Sequence, residues 1–560
     1  PNEASPLTAE PGLVWVVGCG PSWGMATVTV NELLDGHAGL DIECLDRIYL
    51  NGYVPNLQVA GQVVSFMSAH LGLPIASPAI MEQIGTRFRR AVAGFAKANG
   101  VALVMFKKGD RKRDVMDPYL RRQAATGVSG VAAIGVAQEY QNVFAATERT
   151  DHGRFWFSFY KADRRVTCYY FYLWDDQFGP AFIKICTYFP YPLKVWVNGH
   201  EWAKQQARRA GIGFIELSNG FASCDDPARL QAICDRLGPT HLDEFLHRWL
   251  AVLPVPLTDA DRAAGYWWEL SMRQIETSRT IVFDAPRHAR NFFEALVVDN
   301  LDLGRPDKTE IIFTGHPVHR GRPPKTEPSH ITRINTRDTI GVTVNSDYKH
   351  SRIKQYLKDG RALRIETVIN SPDDLGCKRR LHHLPELQAK TREINARLLD
   401  TERVGQGCVL ASPAFERVAQ STLTEDGRRS PALRFGDPRV MALLGALCVS
   451  LNALGFTNRS LRAQVSQLLG VAYTVNQASY DLTRLRLNGL ITRRPRTNTY
   501  QLTADGQRVA IFYTKVHDRL LRPLIAADQP PAPPDLRHAL HVIDHHVDAY
   551  IDRARLPKAA

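Results

Sequence analysis

Carboxylates and lysines alternate in one short stretch of the chain, directly after an apolar run. The apolar run is Val101–Phe106 and the charged stretch is Lys107–Asp114. Carboxylates at the end of a strand can hold Mg²⁺, and a lysine beside them can stabilise the charge that develops on a phosphate under attack. A metal-dependent nuclease uses these residue types, and its candidate catalytic residues here are Asp46, Asp110, Asp114 and Lys112.

The nuclease interpretation depends on where two predicted strands lie. Asp46 belongs to the predicted strand Cys44–Leu50, and it can join Asp110 and Asp114 only if that strand neighbours the one before Lys107. No complete nuclease signature is present, and a solvated basic turn whose acids pair with nearby arginines is the alternative. Mg²⁺ is a cofactor only under the nuclease interpretation, and no other cofactor is predicted.

A second charged segment extends over residues 345–364, with six Lys and Arg against two Asp. The sequence predicts a basic helix over Tyr348–Lys358, then a strand on which Arg364 and Glu366 project from the same face. The candidate contacts to a nucleic-acid backbone in this segment are Lys349, Arg352 and Lys354. A charged face with ordinary packing is the alternative.

A third group of polar and basic side chains follows a helix-start signal near the C terminus. Thr474 and Gln477 have the spacing of a capping box, and Gly489 supplies a left-handed helix stop. The inward positions of this helix are Ala478, Leu482 and Leu485. The candidate DNA-binding residues lie on its outer faces and in the turn that follows: Asn476, Gln477, Ser479, Tyr480, Thr483, Arg484, Arg486, Arg493, Arg494 and Arg496.

Two further helices and a hairpin must position these side chains. Asp437-Pro438 begins an apolar helix that Gly455 ends, and Ser460–Leu469 is a second helix. After the third helix, the strands Leu490–Arg494 and Thr499–Thr503 flank a basic turn. Three short helices and a basic-tipped hairpin, over residues 437–522, resemble winged helix-turn-helix domains such as those of MarR-like regulators. The resemblance implies a third helix in the major groove and a wing against the neighbouring backbone.

Local charge favours contact with phosphate over a scaffold role. Residues 456–522 hold eleven Lys and Arg against three Asp, a balance of +8 within a total of +13 for the chain. Polar residues near a helix N terminus can reach base edges, and arginines further along meet phosphates. A winged helix used only between proteins need not concentrate arginine at its wing tip, and it stays open as the alternative.

The larger N-terminal part predicts a layered α/β arrangement. Strand-like runs at Cys44–Leu50, Val101–Phe106 and Val131–Val136 alternate with a long amphipathic helix, Pro78–Asn99. An aromatic-rich antiparallel meander follows over residues 154–197. Core packing on both faces of the meander is the default, but one face could instead stack unpaired bases, which would suit an RNA-binding protein.

A chain of 560 residues predicts several domains. The fold class is α/β and α+β multidomain, with a layered N-terminal region, a central mixed region and a C-terminal winged helix-turn-helix. The predicted segments are a leader over 1–24 with Met25 as the natural start, an N-terminal region over 25–253, a central region with the basic helix over 257–435, the winged helix over 437–525, and a last helix over 535–556 after a Pro-rich spacer.

Other sequence features limit the function classes. Nine cysteines stand singly without a CxxC pair, which fits a reducing cytoplasm better than a disulfide framework. His200-Glu201 lacks the second histidine of a metalloprotease helix, because position 204 is Lys, and no metal site is predicted. No apolar run is long enough for a typical membrane span.

The sequence therefore predicts a cytoplasmic nucleic-acid-binding protein without a membrane partner, with duplex DNA favoured over RNA. A role in a mobile element, or in the control of transcription or replication, is compatible with this prediction. A metal-dependent nuclease and an RNA-binding ribonucleoprotein component are the two alternatives. The oligomeric state is left open.

Overall fold

The computed structural model describes residues 30–152, 154–300, 308–312, 330–337, 341–348, 350–404, 413–423, 427–448, 455–495 and 497–517, with 538–539, 541–543, 545–546 and 549 near the C terminus. Four predictions fall wholly or mostly outside these residues: the leader with Met25, the contacts of Lys349 and Arg496, and the last helix. Within the described part of the chain, no helix is both long and apolar enough to cross a membrane.

The strands of the structure are β1 (Ala38–Tyr53), β2 (Leu103–Met105), β3 (Gly130–Asp151), β4 (Arg154–Asp175), β5 (Gly179–Cys186), β6 (Leu193–Asn198), β7 (Phe214–Leu217), β8 (Gly220–Cys224), β9 (Glu269–Phe283), β10 (Lys308–Ile312), β11 (His330–Arg337), β12 (Gly341–Tyr348), β13 (Ser351–Lys358), β14 (Ala362–Ile369), β15 (Thr422–Leu423), β16 (Arg429–Ser430), β17 (Ile491–Arg493) and β18 (Tyr500–Leu502). Twelve of them form one mixed sheet in the order β10-β11-β12-β13-β14-β9-β1-β6-β5-β4-β3-β2. Within that sheet β2 pairs with β3 and β10 with β11 in parallel, and the other neighbours are antiparallel.

The helices are α1 (Val30–His37), α2 (Ala60–Ser65), α3 (Pro78–Ala98), α4 (Lys112–Ala125), α5 (Gly199–Arg209), α6 (Pro227–Arg236), α7 (Pro239–Leu250), α8 (Asp259–Ala263), α9 (Pro286–Asn300), α10 (Leu384–Val404), α11 (Pro413–Ala419), α12 (Pro438–Leu447), α13 (Asn458–Leu469), α14 (Val475–Leu487) and α15 (Ala504–Val516). The predicted amphipathic helix is α3, which begins after the capping side chain of Ser77. Its stripe of Ile84, Phe88 and Val92 is buried in the main core, so that part of the prediction is confirmed.

The sheet joins regions that the sequence pattern separates. β1, which was predicted to belong to the N-terminal region, pairs along most of its length with β9, and β9 pairs with β14. The predicted boundary at residues 254–256 therefore lies between strands of one sheet. Local patterns identify strands, but they carry no information about which distant strands pair.

The basic helix predicted over Tyr348–Lys358 is wrong, because this segment forms the end of β12 and the strand β13. Ile353 and Leu357 pack towards a core that includes residues of α9, and Gln355 on the same face is buried. The basic and aromatic residues between them lie on the opposite face, as the two-residue period of a strand requires.

The C-terminal helices surround a second core. The buried residues of α12, including Leu443, Leu444 and Leu447, form its centre. The predicted second and third helices are confirmed as α13 and α14, and the predicted hairpin as β17 and β18. Phe456 adds one bridge to Tyr500 at the outer side of that hairpin. The first helix ends at Leu447, and the residues into which it was predicted to continue, 449–454, lie outside the described part.

Candidate nucleic-acid interface

Two helices joined by a short turn position the candidate DNA-binding residues. α13 ends at Leu469 and is capped by Gly470, whose φ of 69° is the left-handed conformation that glycine adopts without strain. α14 begins after Thr474, whose hydroxyl accepts from the backbone N–H of Gln477, while Oε1 of Gln477 accepts from the backbone N–H of Thr474. The cap fixes where the first exposed turn of α14 begins.

The outer face of α14 carries hydrogen-bonding side chains and one cation. Tyr480 is 51% exposed on this face. The other exposed members are Asn476, Ser479, Thr483 and Arg486. Ser479 accepts from Asn458 of α13 at 3.2 Å, which ties the two helices together at this face. The prediction that these five side chains point outwards is confirmed.

The single acidic residue of α14 is turned away from this face. Asp481 is fully buried and accepts from the hydroxyl of Tyr473 at 2.6 Å and from Arg439 at 3.0 Å. Burial is the main cause that raises the pKa of Tyr473, and its hydrogen bond to Asp481 raises it further. The carboxylate is therefore compensated inside the unit, and no negative charge remains on the outer face of α14.

The outward placement predicted for Arg484 is wrong. Its side chain lies 3.7 Å from Asp481, its Nε donates to the carbonyl oxygen of Pro431 at 3.3 Å, and the residue is only 8% exposed. Helical periodicity alone predicted an outer face for this residue, but in the structure the segment before α12 covers it. Gln477 is half-buried and its Oε1 is used in the cap, so only its amide nitrogen is left for other contacts.

Arg439, which the sequence analysis did not single out, extends the exposed surface. Its guanidinium lies 5.6 Å from the ring centre of Tyr480 while it pairs with Asp481. It thereby orients Tyr480 through a cation–π contact. In the sequence, Arg439 is only a basic residue two positions after the cap of α12. Its partners on α14 become visible only in the folded structure.

The two described hairpin arginines differ in whether their guanidinium groups are free of contacts with the rest of the chain outside the hairpin. Arg493 is exposed and donates to the carbonyl oxygen of Thr497 at 2.8 Å and to Asn498 at 2.7 Å, so it lies over the tip of its own turn. Arg494 instead pairs at 2.8 Å with Glu393 of α10, which also accepts from Gln501 of β18. This side of the hairpin therefore contacts the helix that packs on the large sheet.

The two described candidates of the second basic segment are half-buried and paired. Arg352 donates to Asp347 at 2.6 Å, and Lys354 lies 3.5 Å from Glu366. Both cations therefore sit over buried carboxylates on one face of the sheet. The predicted shared face of Arg364 and Glu366 is confirmed by their contact at 3.3 Å.

The structure does not bring the four candidate catalytic residues together. Four strands lie between β1 and β2, so Asp46 is separated from the loop after β2 by roughly 24 Å at about 4.8 Å per strand. Asp110 accepts from the backbone N–H of Lys107 in an exposed turn, and Asp114 is exposed in the first turn of α4. Lys112 pairs with Glu139 and donates to the hydroxyl of Tyr170.

Asp46 lies instead in a buried cluster of charged residues. Asn219 donates to one carboxylate oxygen at 2.6 Å and Arg364 to the other at 2.7 Å. A β-bulge places Asp46 and Arg47 opposite Glu276 of β9, and carboxylate oxygens of Asp46, Glu276 and Glu366 lie within 4.8 Å of one another. Sequence reasoning missed Glu276, since no short-range pattern marks it.

Arg364 dominates the electrostatics of this cluster. Both it and Asp46 are 0% exposed. Burial is the largest single influence and would raise the pKa of Asp46, but Arg364, with smaller contributions from His200, Asn219 and Arg47, outweighs it, and the net effect is to lower that pKa. The pKa of Glu276 is raised, mainly by burial. The arrangement is that of an internal ion network in which every oxygen of Asp46 already has a donor.

The aromatic meander is largely core. Tyr169, Phe171 and Leu173 pack in the main core, while Tyr170 and Tyr172 pack on the opposite face of β4. The aromatic residues left exposed are Tyr140, Phe155, Trp156 and Tyr160, on the outer parts of β3 and β4. The aromatic surface that could stack bases is therefore confined to that end of the two strands.

No protein-family model, curated protein or solved structure matches this chain.

Proposed function

We propose that this protein binds duplex DNA through the outer face of α14, with residues 437–517 acting as a winged helix-turn-helix. The observation that carries the proposal is the charge arrangement of α14. Its only carboxylate is buried and compensated, while its exposed side chains are hydrogen-bonding groups, Arg486 and the uncharged Val475 at the first position of the helix. No exposed negative charge on this helix would therefore repel a polyanion such as DNA.

The dimensions of α14 suit a groove. Its 13 residues extend for about 20 Å, and a major groove about 12 Å wide admits one helix. In the proposed complex Asn476 and Tyr480, near the N-terminal end, contact base edges. Thr483 and Arg486 approach the backbone, and Arg493 contacts the neighbouring phosphates from the hairpin.

In this role the protein binds DNA without a catalytic step. This function is compatible with a cytoplasmic role in a mobile element or in the control of transcription or replication. The large sheet is more than a minimal repressor needs, and the proposal assigns it no part in base recognition.

The test is duplex binding by two variants of exposed residues on α14, one that removes a cation and one that removes an uncharged hydrogen-bonding group. Arg486→Ala is expected to weaken binding to every duplex by about threefold to tenfold and to reduce the salt slope by about 0.9, as loss of one phosphate contact requires. Asn476→Ala is expected to change sequence preference in a selection from random duplexes. Both are measured on the full chain by fluorescence anisotropy at several salt concentrations.

The matched control is Arg290→Ala. Arg290 is an exposed arginine of α9 in an ion pair with Glu294, and it removes the same charge from a surface outside residues 437–517. Its affinity is expected to stay within twofold of the unchanged protein. Equal affinities and salt slopes for Arg486→Ala and Arg290→Ala would contradict the assignment of α14 to DNA.

A metal-dependent nuclease is the second candidate function, and one observation favours it. Asp46 shares its cluster with Glu276 and Glu366, three carboxylates that Mg²⁺ could use. Against it, Arg364 contacts two of the three carboxylates and Asp46 is fully buried. Cleavage of labelled DNA in Mg²⁺ or Mn²⁺ that is lost in Glu276→Gln would favour the nuclease. Binding without cleavage favours the first proposal, and a strong preference for RNA favours the ribonucleoprotein alternative.

A further inference from the structure

Two imidazoles and a carboxylate meet where three elements of the sheet region converge. His37 is the last residue of α1, Asp284 directly follows β9, and His288 lies in the first turn of α9. The backbone N–H of Asp284 donates to the carbonyl oxygen of His37 at 2.9 Å, which holds the end of α1 beside the start of α9.

The three side chains are close enough to chelate one ion. Nδ1 of His37 lies 2.9 Å from one oxygen of Asp284, and Nδ1 of His288 lies 2.6 Å from the other. The two rings overlap with their centres 3.7 Å apart, and one donor atom from each of the three residues lies within 4.8 Å of the others. Small side-chain rotations bring such a set to the metal–ligand distances of about 2.0–2.2 Å that imidazole and carboxylate adopt on Zn²⁺.

We propose that His37, Asp284 and His288 form a binding site for a divalent transition-metal ion, with Zn²⁺ as the best match. Two nitrogen donors and one carboxylate are a donor set that suits Zn²⁺ better than Mg²⁺ or Ca²⁺, which prefer oxygen ligands alone. The side chain of Asp284 is 51% exposed, so a further coordination position faces solvent. Three protein ligands with one open position are typical of zinc sites that exchange ligands.

A metal ion that binds here must displace hydrogen bonds that the cluster already makes. Each carboxylate oxygen of Asp284 is hydrogen-bonded to Nδ1 of one histidine, His37 or His288, and coordination of the metal by these atoms would replace both hydrogen bonds. Nε of Arg287, an exposed side chain, lies 3.2 Å from Nε2 of His288 and donates to it. Coordination through Nδ1 moves the ring proton of His288 to Nε2, which requires Arg287 to swing away. Arg287 therefore competes with the metal.

The test is isothermal titration of the full chain with Zn²⁺ above pH 7, because protons compete with a metal ion for its ligands at lower pH. Asp284→Asn and His37→Ala are each expected to remove this binding event or weaken it by at least about tenfold. Arg287→Ala is expected to strengthen it, because the competing donor and its positive charge are gone. The unchanged protein is expected to gain thermal stability in Zn²⁺, and Asp284→Asn is not.

The matched control is His247→Ala. His247 of α7 lies 3.3 Å from Asp243, and the two side chains are 32% and 52% exposed, as are His37 and Asp284 at 33% and 51%. This pair belongs to neither of the two three-residue clusters of potential metal ligands found among the described residues. Zn²⁺ affinity unchanged in Asp284→Asn and Arg287→Ala, or lost equally in His247→Ala, would overturn the proposal. Because Arg287→Ala removes only a surface side chain, it tests the site even if the ligand variants fold poorly.

Discussion

Individual charges in the sheet are fixed by burial and by partners far along the chain. Asp46 and Arg364 stand 318 residues apart, and their contact at 2.7 Å lies in the centre of the sheet. Removing one partner of a buried pair leaves the other charge without compensation, which costs far more free energy than the pair gained on forming.

The first residue-scale prediction concerns Asp46→Asn. We expect it to lower the free energy of unfolding by about 3–5 kcal/mol, since it leaves Arg364 buried without its main counter-charge. The measurement is urea unfolding followed by tryptophan fluorescence, and every tryptophan precedes residue 269, so the signal comes from outside the C-terminal unit. Asp41→Asn is the control on the same strand, because Asp41 is partly exposed in a pair with Arg279 and is expected to cost less than about 1 kcal/mol. Equal losses for the two variants would show that burial of the Asp46 pair is not what matters.

The second residue-scale prediction is a pH dependence. Glu402 of α10 is buried, and burial raises its pKa to about 8 although Gln355 donates to it at 3.0 Å. The folded chain thus keeps this proton between about pH 4.5 and 8 while the unfolded chain releases it, so stability falls as pH rises through that window, by up to about 1.4 kcal/mol per unit. Glu402→Gln is expected to lose this dependence and to gain relative stability as pH rises. Urea unfolding at pH 5, 6.5 and 8 measures it, with exposed Glu386→Gln as the control on the same helix. Parallel pH profiles for the Glu402 variant and the unchanged protein would contradict the prediction.

At the scale of elements, short-range signals were sufficient where partners lie within a few residues. The cap of Thr474 and the stop at Gly489 located α14 to within about a residue at each end. The same reasoning failed for β13, which was predicted to be a basic helix. The carboxylates that pair with its basic residues lie on β12 and β14, and the local sequence does not reveal this pairing. The reasoning failed for Arg484 because its covering segment comes from before α12.

The element-scale prediction separates the two described hairpin arginines. Arg493→Ala is expected to weaken DNA binding by about threefold or more, because Arg493 is exposed at the tip. Arg494→Ala is expected to change affinity less than twofold, since its guanidinium already pairs with Glu393. Salt-dependent anisotropy measures both. A larger loss for Arg494→Ala would mean that the pair with Glu393 opens when DNA binds.

At the scale of the whole molecule, the sequence predicted a mixed α/β chain and the second and third helices and hairpin near the C terminus, but not the continuity of the sheet. Pairing between β1 and β9 joins residues more than 200 positions apart, and no periodicity encodes such a partner. The cluster of His37 with Asp284 was missed for the same reason, since 247 positions separate them. The contacts that could not be predicted from the sequence are those between residues far apart along the chain.

The shared sheet also restricts how this chain can be divided. A fragment that ends at residue 253 would hold β1 with one edge bare and Asp46 without its arginine, because β9 and β14 come later. Unpaired backbone donors and acceptors along sixteen residues of strand would recruit other chains, and such a fragment should aggregate. A cut between α10 and α11 breaks no strand pairing among the described residues. Fission of the chain is therefore better tolerated there than between β6 and β9.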